Sequence, residues 1–344
     1  MNTRYDIEYL RKCSERVLVD KGLAEKSAEI VVDSMISADI NGVSTHGIRM
    51  LVPYLQKIEK GEFSVNSHPS VINQTSAFTV IDAANTIGAI SAELAVSIAV
   101  EQARKSGIHT VFSRNSNTFG PGFYYAEKIA DEGMIGFVCC NAPAAMPAFN
   151  GIEAMLGTNP LAYAFPTKSH GHVVMDMATS VVAKSRFGVA KAKGEKLEPG
   201  WALDKNGNPT VDPDEGIQGF VLPMAGFKGY GIAMMIDMVS GFLSGAGFLN
   251  TVGKFYSKDG ACMNVGHMIT AFDPGMIYEG DFLADADGYV EKLRNSKTLE
   301  GKNVVLPGDD RRQNREISLK EGIVLPEETV EKLESTFGEA LKKG

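Results

Sequence analysis

Phe78-Thr79-Val80-Ile81-Asp82, the helical run Ala89 to Lys105 and then His109-Thr110-Val111-Phe112-Ser113 decide the fold class. Two short runs rich in β-branched and aromatic residues flank a longer stretch of helical periodicity, which predicts strand, helix, strand. The alternation continues outward. A helix is predicted over Gly122 to Asp131, and strands at Met134-Ile135-Gly136-Phe137-Val138, Val173-Val174-Met175-Asp176 and Gly266 to Phe272. The centre of the chain therefore reads as an α/β domain.

Upstream, residues 1–72 carry helical periodicity in three blocks closed by Gly22, Gly42 and Gly61, glycine being the residue that ends helices at no steric cost. This helical N-terminal part places His46 near the start of the third helix. Downstream, the apolar run Ile232 to Phe248 is broken by Asp237 and several glycines and serines and is shorter than the roughly 20 residues of a spanning helix. A buried helix is expected there. Residues 194–213 are crowded with turn formers, Asn206-Gly207 among them, and read as a long exposed loop. The chain end is polar until a helix expected from Glu327 to Lys343, with Pro326 at its start.

With 344 residues, 44% hydrophobic and 22% charged, the composition is that of a globular protein with room for a substantial core. A net charge of -8 disfavours nucleic acid and anionic membranes, so the expected partner is a small molecule. Four cysteines make no disulfide framework, and the charged start Met1 to Asp6 lacks the apolar core of a secretion signal. A cytoplasmic location is expected.

Motifs of common nucleotide and hydrolytic chemistry are missing. Gly229-Tyr230-Gly231 has Met234 where a dinucleotide fingerprint needs its third glycine, and no acidic residue follows at the right distance. The phosphate loop, the His-Glu-x-x-His zinc motif and the Gly-x-Ser-x-Gly elbow do not occur. His170-Gly171-His172 lacks a third ligand nearby and reads as a surface turn, so no metal is expected. His68, His109 and His267 read as structural or exposed.

Ser44-Thr45-His46-Gly47 concentrates an imidazole and two hydroxyls where backbone N–H groups are free to meet an anion. On a helix, Arg49 would lie one turn and Tyr54 two turns beyond His46. Together they could clamp a carboxylate and handle a proton. Taken alone, the grouping fits a capped helix start with a solvated His46 and Arg49 equally well.

In order along the chain, Ser44-Thr-His-Gly-Ile48, Ser113-Arg-Asn-Ser-Asn-Thr-Phe-Gly120, Gly157-Thr-Asn-Pro160, Met175-Asp-Met-Ala-Thr-Ser180, Phe227-Lys-Gly-Tyr-Gly231 and Leu306-Pro-Gly-Asp-Asp310 closely resemble the type-2 malate/L-lactate dehydrogenase family. That family also holds ureidoglycolate, sulfolactate and 2,3-diketo-L-gulonate dehydrogenases and piperideine-2-carboxylate reductases. The resemblance covers nearly the whole chain. It implies a non-Rossmann fold with a largely antiparallel central sheet, residues 73–309 as the nicotinamide-binding domain, the helical part completed by residues 310–344, and a homodimer. It also implies NAD or NADP as cofactor, with NAD preferred. Cofactor contacts would fall on Met175, Asp176, Met177, Ala178, Thr179, Ser180 and Val181, on Phe227, Lys228 and Gly229, and on Gly308, Asp309 and Asp310.

The family histidine corresponds to His46, expected to exchange the substrate hydroxyl proton, and Asp176 is expected to orient it through a hydrogen bond. Substrate contacts are expected from Ser44, Arg49, Tyr54 and Thr118. Two departures stand out: Thr118 occupies the place of a second histidine found in many members, and Met50 the place of an arginine, with Arg49 one residue earlier. A threonine hydroxyl cannot serve as a base near neutral pH. Expected activity is hydride transfer between NAD(P) and a small 2-oxo or 2-hydroxy acid. The alternatives are reduction of a cyclic or N-alkyl imino acid, and a silent nucleotide-binding member.

Overall fold

The computed structural model describes residues 3–256 and 262–344. Helices α1 (Ile7–Asp20), α2 (Glu25–Ile40) and α3 (Leu51–Glu59) end just before Gly22, Gly42 and Gly61, which take φ of +93°, +78° and +70°. Only glycine enters that left-handed region at no steric cost, and this is how the three blocks stop.

The central sheet has seven strands. In chain order they are β1 (Ser70–Gln74), β2 (Phe78–Asp82), β3 (Ile108–Ser116), β4 (Ile135–Cys140), β5 (Leu161–Phe165), β6 (Val173–Met177) and β7 (Val265–Phe272). They lie in the order β1-β2-β3-β7-β4-β5-β6. Every neighbouring pair is antiparallel except β2 and β3, which are parallel because α4 (Gly88–Ser106) carries the chain back between them. The sheet is thus largely antiparallel, as the family resemblance implied. Alternation in β2 and β3 turns Ile81 and Val111 inward, where they meet alanines of α4 and the buried side of α5 (Gly122–Asp131) in the main core.

A second core joins both chain ends. Leu10, Val31, Ile48 and Leu55 pack with Ile323, Leu333 and Phe337, the last two from α11 (Glu327–Phe337). That helix stops six residues before the expected Lys343, because Gly338 takes φ +76° and reverses the chain.

Two other expectations are corrected. Residues 194–213 are not an open loop: Ala202–Leu203 pairs with Pro209–Thr210 and Phe220–Val221 in a small sheet, beside α6 (Ser185–Lys193) and α7 (Pro213–Gln218). Leu197, Ala202 and Val221 bury against Phe187, and that apolar anchor is what folds a turn-rich segment. Nor is Ile232 to Phe248 one buried helix. Helix α8 (Phe227–Ile236) runs into a wider π turn at Asp237–Phe242. Ala233, Ile236 and Ser240 face the protein, while Met234, Met235, Met238, Phe242 and Leu243 are exposed. The polar chain end also holds α9 (Phe282–Arg294) and α10 (Asp309–Glu321), which charged sequences without a clear apolar stripe had hidden.

Lys57 and Glu62 form a fully buried ion pair, with the ammonium 4.7 Å from the centre of the Phe255 ring. Removing one partner strands a charge in the core. Glu62→Ala should therefore lower the unfolding free energy in urea by about 3–5 kcal/mol, and Lys57→Met with Glu62→Leu should recover most of the loss.

Candidate active site

His46 lies not in a helix but on a short 3₁₀ turn, Ser44–His46, followed by a second at Ile48–Met50; α3 begins only at Leu51. Gly47 separates the turns with extended backbone (φ -81°, ψ -161°). Asp39, on the last turn of α2, pins the junction: its Oδ2 accepts the Ile48 N–H at 2.6 Å. A Cβ on Gly47 would collide with the same carboxylate, so this position admits only glycine.

The His46 side chain is exposed to solvent, yet protein atoms crowd round it closely enough to disfavour its charged form. Burial lowers its pKa below the usual 6.5, and the charge of Asp176 pulls it back up. Asp176, on β6, is shifted the other way: burial raises its pKa, opposed by the Phe123 N–H, His46 and Arg311. Each is pushed toward neutrality by its surroundings and toward charge by the other.

The expected Asp176–His46 hydrogen bond is absent among the described residues. The Phe123 N–H, at the start of α5, donates to Asp176 Oδ2 at 2.9 Å. Thr45 Oγ1 lies 2.9 Å from His46 Nδ1 instead. Asp176 acts on the imidazole through its field, and the orienting contact comes from the neighbouring hydroxyl.

Tyr54 is buried on α3, edge-on to Phe63 at 5.4 Å, with its hydroxyl directed to the half-buried Thr118. Ser44 and Arg49 face elsewhere. Ser44 lines a cavity of about 820 Å³ with Tyr5, Leu325 and Glu327, and Arg49 one of about 260 Å³ with Tyr256, Glu328 and Lys332. Neither cavity includes His46 or Asp176. The break at Gly47 cancels the one-turn spacing that would have set Arg49 beside His46.

The three segments expected to hold a cofactor have distinct local roles. Beyond β6, Thr179 donates through both N and Oγ1 to Thr158 O (2.9 and 3.0 Å), and Val181 N donates to Leu222 O at 2.8 Å, so this stretch is a fixed backbone ledge. Helix α8 starts at Gly226, which takes φ +62° and provides no side-chain cap, leaving the first-turn N–H groups of Phe227 and Lys228 open. The Lys228 ammonium is exposed, and Gly229 packs so closely on Met224 O that a Cβ would not fit. An uncapped helix start with a cation on it suits a pyrophosphate, and in this respect the residues fit a dinucleotide. At the start of α10, Gly308 (φ +95°) would place a Cβ 3.1 Å from Val174 O. Asp309 is spent on the fold, accepting from Arg294 at 2.7 and 3.1 Å and from Leu306 N at 2.9 Å, whereas Asp310 is exposed. Val174 and Gly308 share a polar cavity of about 580 Å³ with Tyr124, Glu127, Arg312 and Arg315.

Four of the other five histidines have partners within the chain: His109 lies 2.9 Å from Thr79 Oγ1, His267 3.2 Å from Asn117 O, His170 3.2 Å from Glu291 and His172 2.9 Å from Asp131, while His68 is exposed. Sequence reasoning missed Asp39 and Arg311. A lone acid in the apolar stretch Ser37-Ala38-Asp39-Ile40 was the available signal for the first.

A non-Rossmann α/β sheet, a histidine–aspartate pair and open backbone at a helix start define a dehydrogenase-type site outside the common dinucleotide fold. The chain belongs to the malate/L-lactate dehydrogenase family, whose pattern it matches over residues 5–334. It is 33% identical to a malate/(S)-sulfolactate dehydrogenase of Methanothermus fervidus, covering 94% of each chain. Its structure is similar to that of malate dehydrogenase from Entamoeba histolytica (TM-score 0.92, 30% identity, 99% of each chain). It is also similar to Δ1-piperideine-2-carboxylate reductase from Pseudomonas syringae pv. tomato (TM-score 0.88, 26% identity, 97% of this chain and 99% of the other).

Burial raises the Asp39 pKa from 3.8 to about 7. A carboxyl whose pKa is raised by folding binds more protons folded than unfolded, so its contribution to stability declines as pH rises from about 4 to 7. Asp39→Asn keeps an acceptor for Ile48 N and removes this titration. Its stability relative to wild type should climb across that window, by about 1.4 kcal/mol per pH unit at the steepest, in urea unfolding followed at several pH values.

Proposed function

We propose that this protein transfers a hydride between NAD(P) and a small 2-oxo or 2-hydroxy acid, with His46 as the proton-handling residue. The observation that carries the reading is the electrostatic pairing of His46 with Asp176, Asp176 itself being held by the first turn of α5. A bound nicotinamide supplies or accepts the hydride; all proton movement falls to the chain. In reduction, His46 Nε2 donates to the forming alkoxide while Thr45 holds Nδ1, and in oxidation the neutral ring takes the hydroxyl proton. The Asp176 charge lowers the cost of the imidazolium in between. We assign the Thr118 and Tyr54 hydroxyls to the substrate, and leave Arg49 and Ser44 out of it. The ledge from Met175 to Val181, the α8 start with Lys228 and the α10 start with Gly308 are the proposed cofactor contacts. We favour NAD, because the exposed Asp310 carboxylate beside Gly308 disfavours a ribose 2′-phosphate there.

The second reading, reduction of a cyclic imino acid, draws on Thr118 in the place of a second histidine and on the likeness to the piperideine-carboxylate reductase. An oxidation screen with NADH and NADPH against pyruvate, oxaloacetate, oxalurate, sulfopyruvate and piperideine-2-carboxylate separates the two; activity with none of them sinks both.

His46→Ala should lower turnover by about 10²- to 10⁴-fold with the fold intact. Because burial lowers the His46 pKa, the rate of reduction should fall as pH rises through a midpoint below 6.5, and oxidation should rise through it. A folded His46→Ala enzyme with near-normal turnover would exclude the assignment.

Among the described residues no helix is long and apolar enough to cross a membrane, and we place the reaction in the cytoplasm. The apolar face of Met234, Met235, Met238, Phe242 and Leu243 we assign to a second copy of this chain. Leu243→Asp should move the protein from dimer to monomer in sedimentation velocity; an unchanged coefficient would count against that face.

A further inference from the structure

The outer edge of β6 is closed by the segment leading into α10. Val174 N donates to Pro307 O at 3.1 Å, and the Val174 carbonyl, on the same edge, accepts from Arg311 Nη2. The same guanidinium lies over the Phe123 ring, 5.1 Å from its centre. Val174 stands two residues before Asp176 and so shares its side of the strand. Phe123 provides the N–H that holds Asp176 Oδ2. Arg311 thus touches both elements that fix Asp176, at positions on either side of it.

We propose that Arg311 is a positioning residue for the proton-handling pair: it clamps β6 to the start of α5 and places a positive charge beside Asp176. This rests on the reading of His46 and Asp176 as that pair. No other arginine joins these two elements among the described contacts. Its Nε is buried without a partner, so the guanidinium charge is not consumed by a carboxylate of its own. Arg311 favours the ionised form of Asp176, as does His46. The Cys140 thiol of β4, also near Asp176, is pushed well up and stays neutral. On the other side Arg311 faces Glu127 of α5, which burial raises and which Arg315, His172 and Asp131 also influence. The arrangement is a charge between two acids and hydrogen-bonded to neither, with Nη2 on the Val174 carbonyl and the guanidinium over the Phe123 ring.

Removing a positive charge beside a coupled pair makes protons bind it more tightly. In Arg311→Met the titration midpoint of the His46 ring, followed by NMR on histidine-labelled protein without substrate, should rise by about half to one pH unit. Arg311→Lys keeps the charge and should leave the midpoint near wild type, but it loses the planar fork. In both variants hydrogen exchange of the peptide Val173–Met177, read by mass spectrometry, should quicken several-fold. A midpoint unmoved by Arg311→Met, or moved equally by Arg311→Lys, overturns the charge role; unchanged exchange overturns the clamp. Should Arg311→Met not fold, the exchange of Arg311→Lys decides alone. Near-normal turnover in His46→Ala would remove the catalytic reading while leaving these shifts in place, so the two failures are distinguishable.

Discussion

A strand at the edge of a sheet exposes a row of backbone donors and acceptors that must find partners. In this protein the edge that matters is the outer side of β6, and its partner is not another strand but the turn and first residues of α10. That closure brings a residue 137 positions away against the strand that carries Asp176. It also commits the chain end to the helical part, since α11 packs into the core that α1, α2 and α3 build. The site and the second core are consequences of satisfying one edge.

The same economy governs the electrostatics. Burial alone would leave His46 and Asp176 both neutral, which gives a site with no charge to move. Their mutual attraction works against burial, favouring the charged form of each. Backbone donors, the Phe123 N–H on Asp176 and the Ile48 N–H on Asp39, fix geometry without adding further titrating groups.

Much of the fold was legible because period and punctuation agreed. Phe78–Asp82 and Gly122–Asp131 were read at their observed bounds, and β3, β4, β6 and β7 within two or three residues. What could not be read has physical reasons. β5 is only five residues, Leu161-Ala-Tyr-Ala-Phe165, and two of them are alanines, which carry little strand preference. The segment 194–213 folds because its few apolar residues, Leu197 and Ala202, bury against Phe187 and Val221 outside it. In the site, residue types pointed to His46 and Asp176, but local spacing misled at Arg49, since nothing nearby announces that Gly47 breaks the helix where Asp39 fills the space its side chain would need. Arg311 was invisible because its partners, Val174 and Phe123, are remote in sequence.

The position of β7 has a kinetic meaning. Its register ties Ile269 to Val111 on one side and to Val138 on the other, so among the described residues it is the strand that joins the β1-β2-β3 and β4-β5-β6 halves of the sheet. Pairings so far apart in sequence are slow to form, and any half-sheet that forms before β7 docks has an open edge. An open edge of that kind is where a partly folded chain is most exposed to pairing with the wrong partner, and the docking of one central strand is what closes both half-sheets.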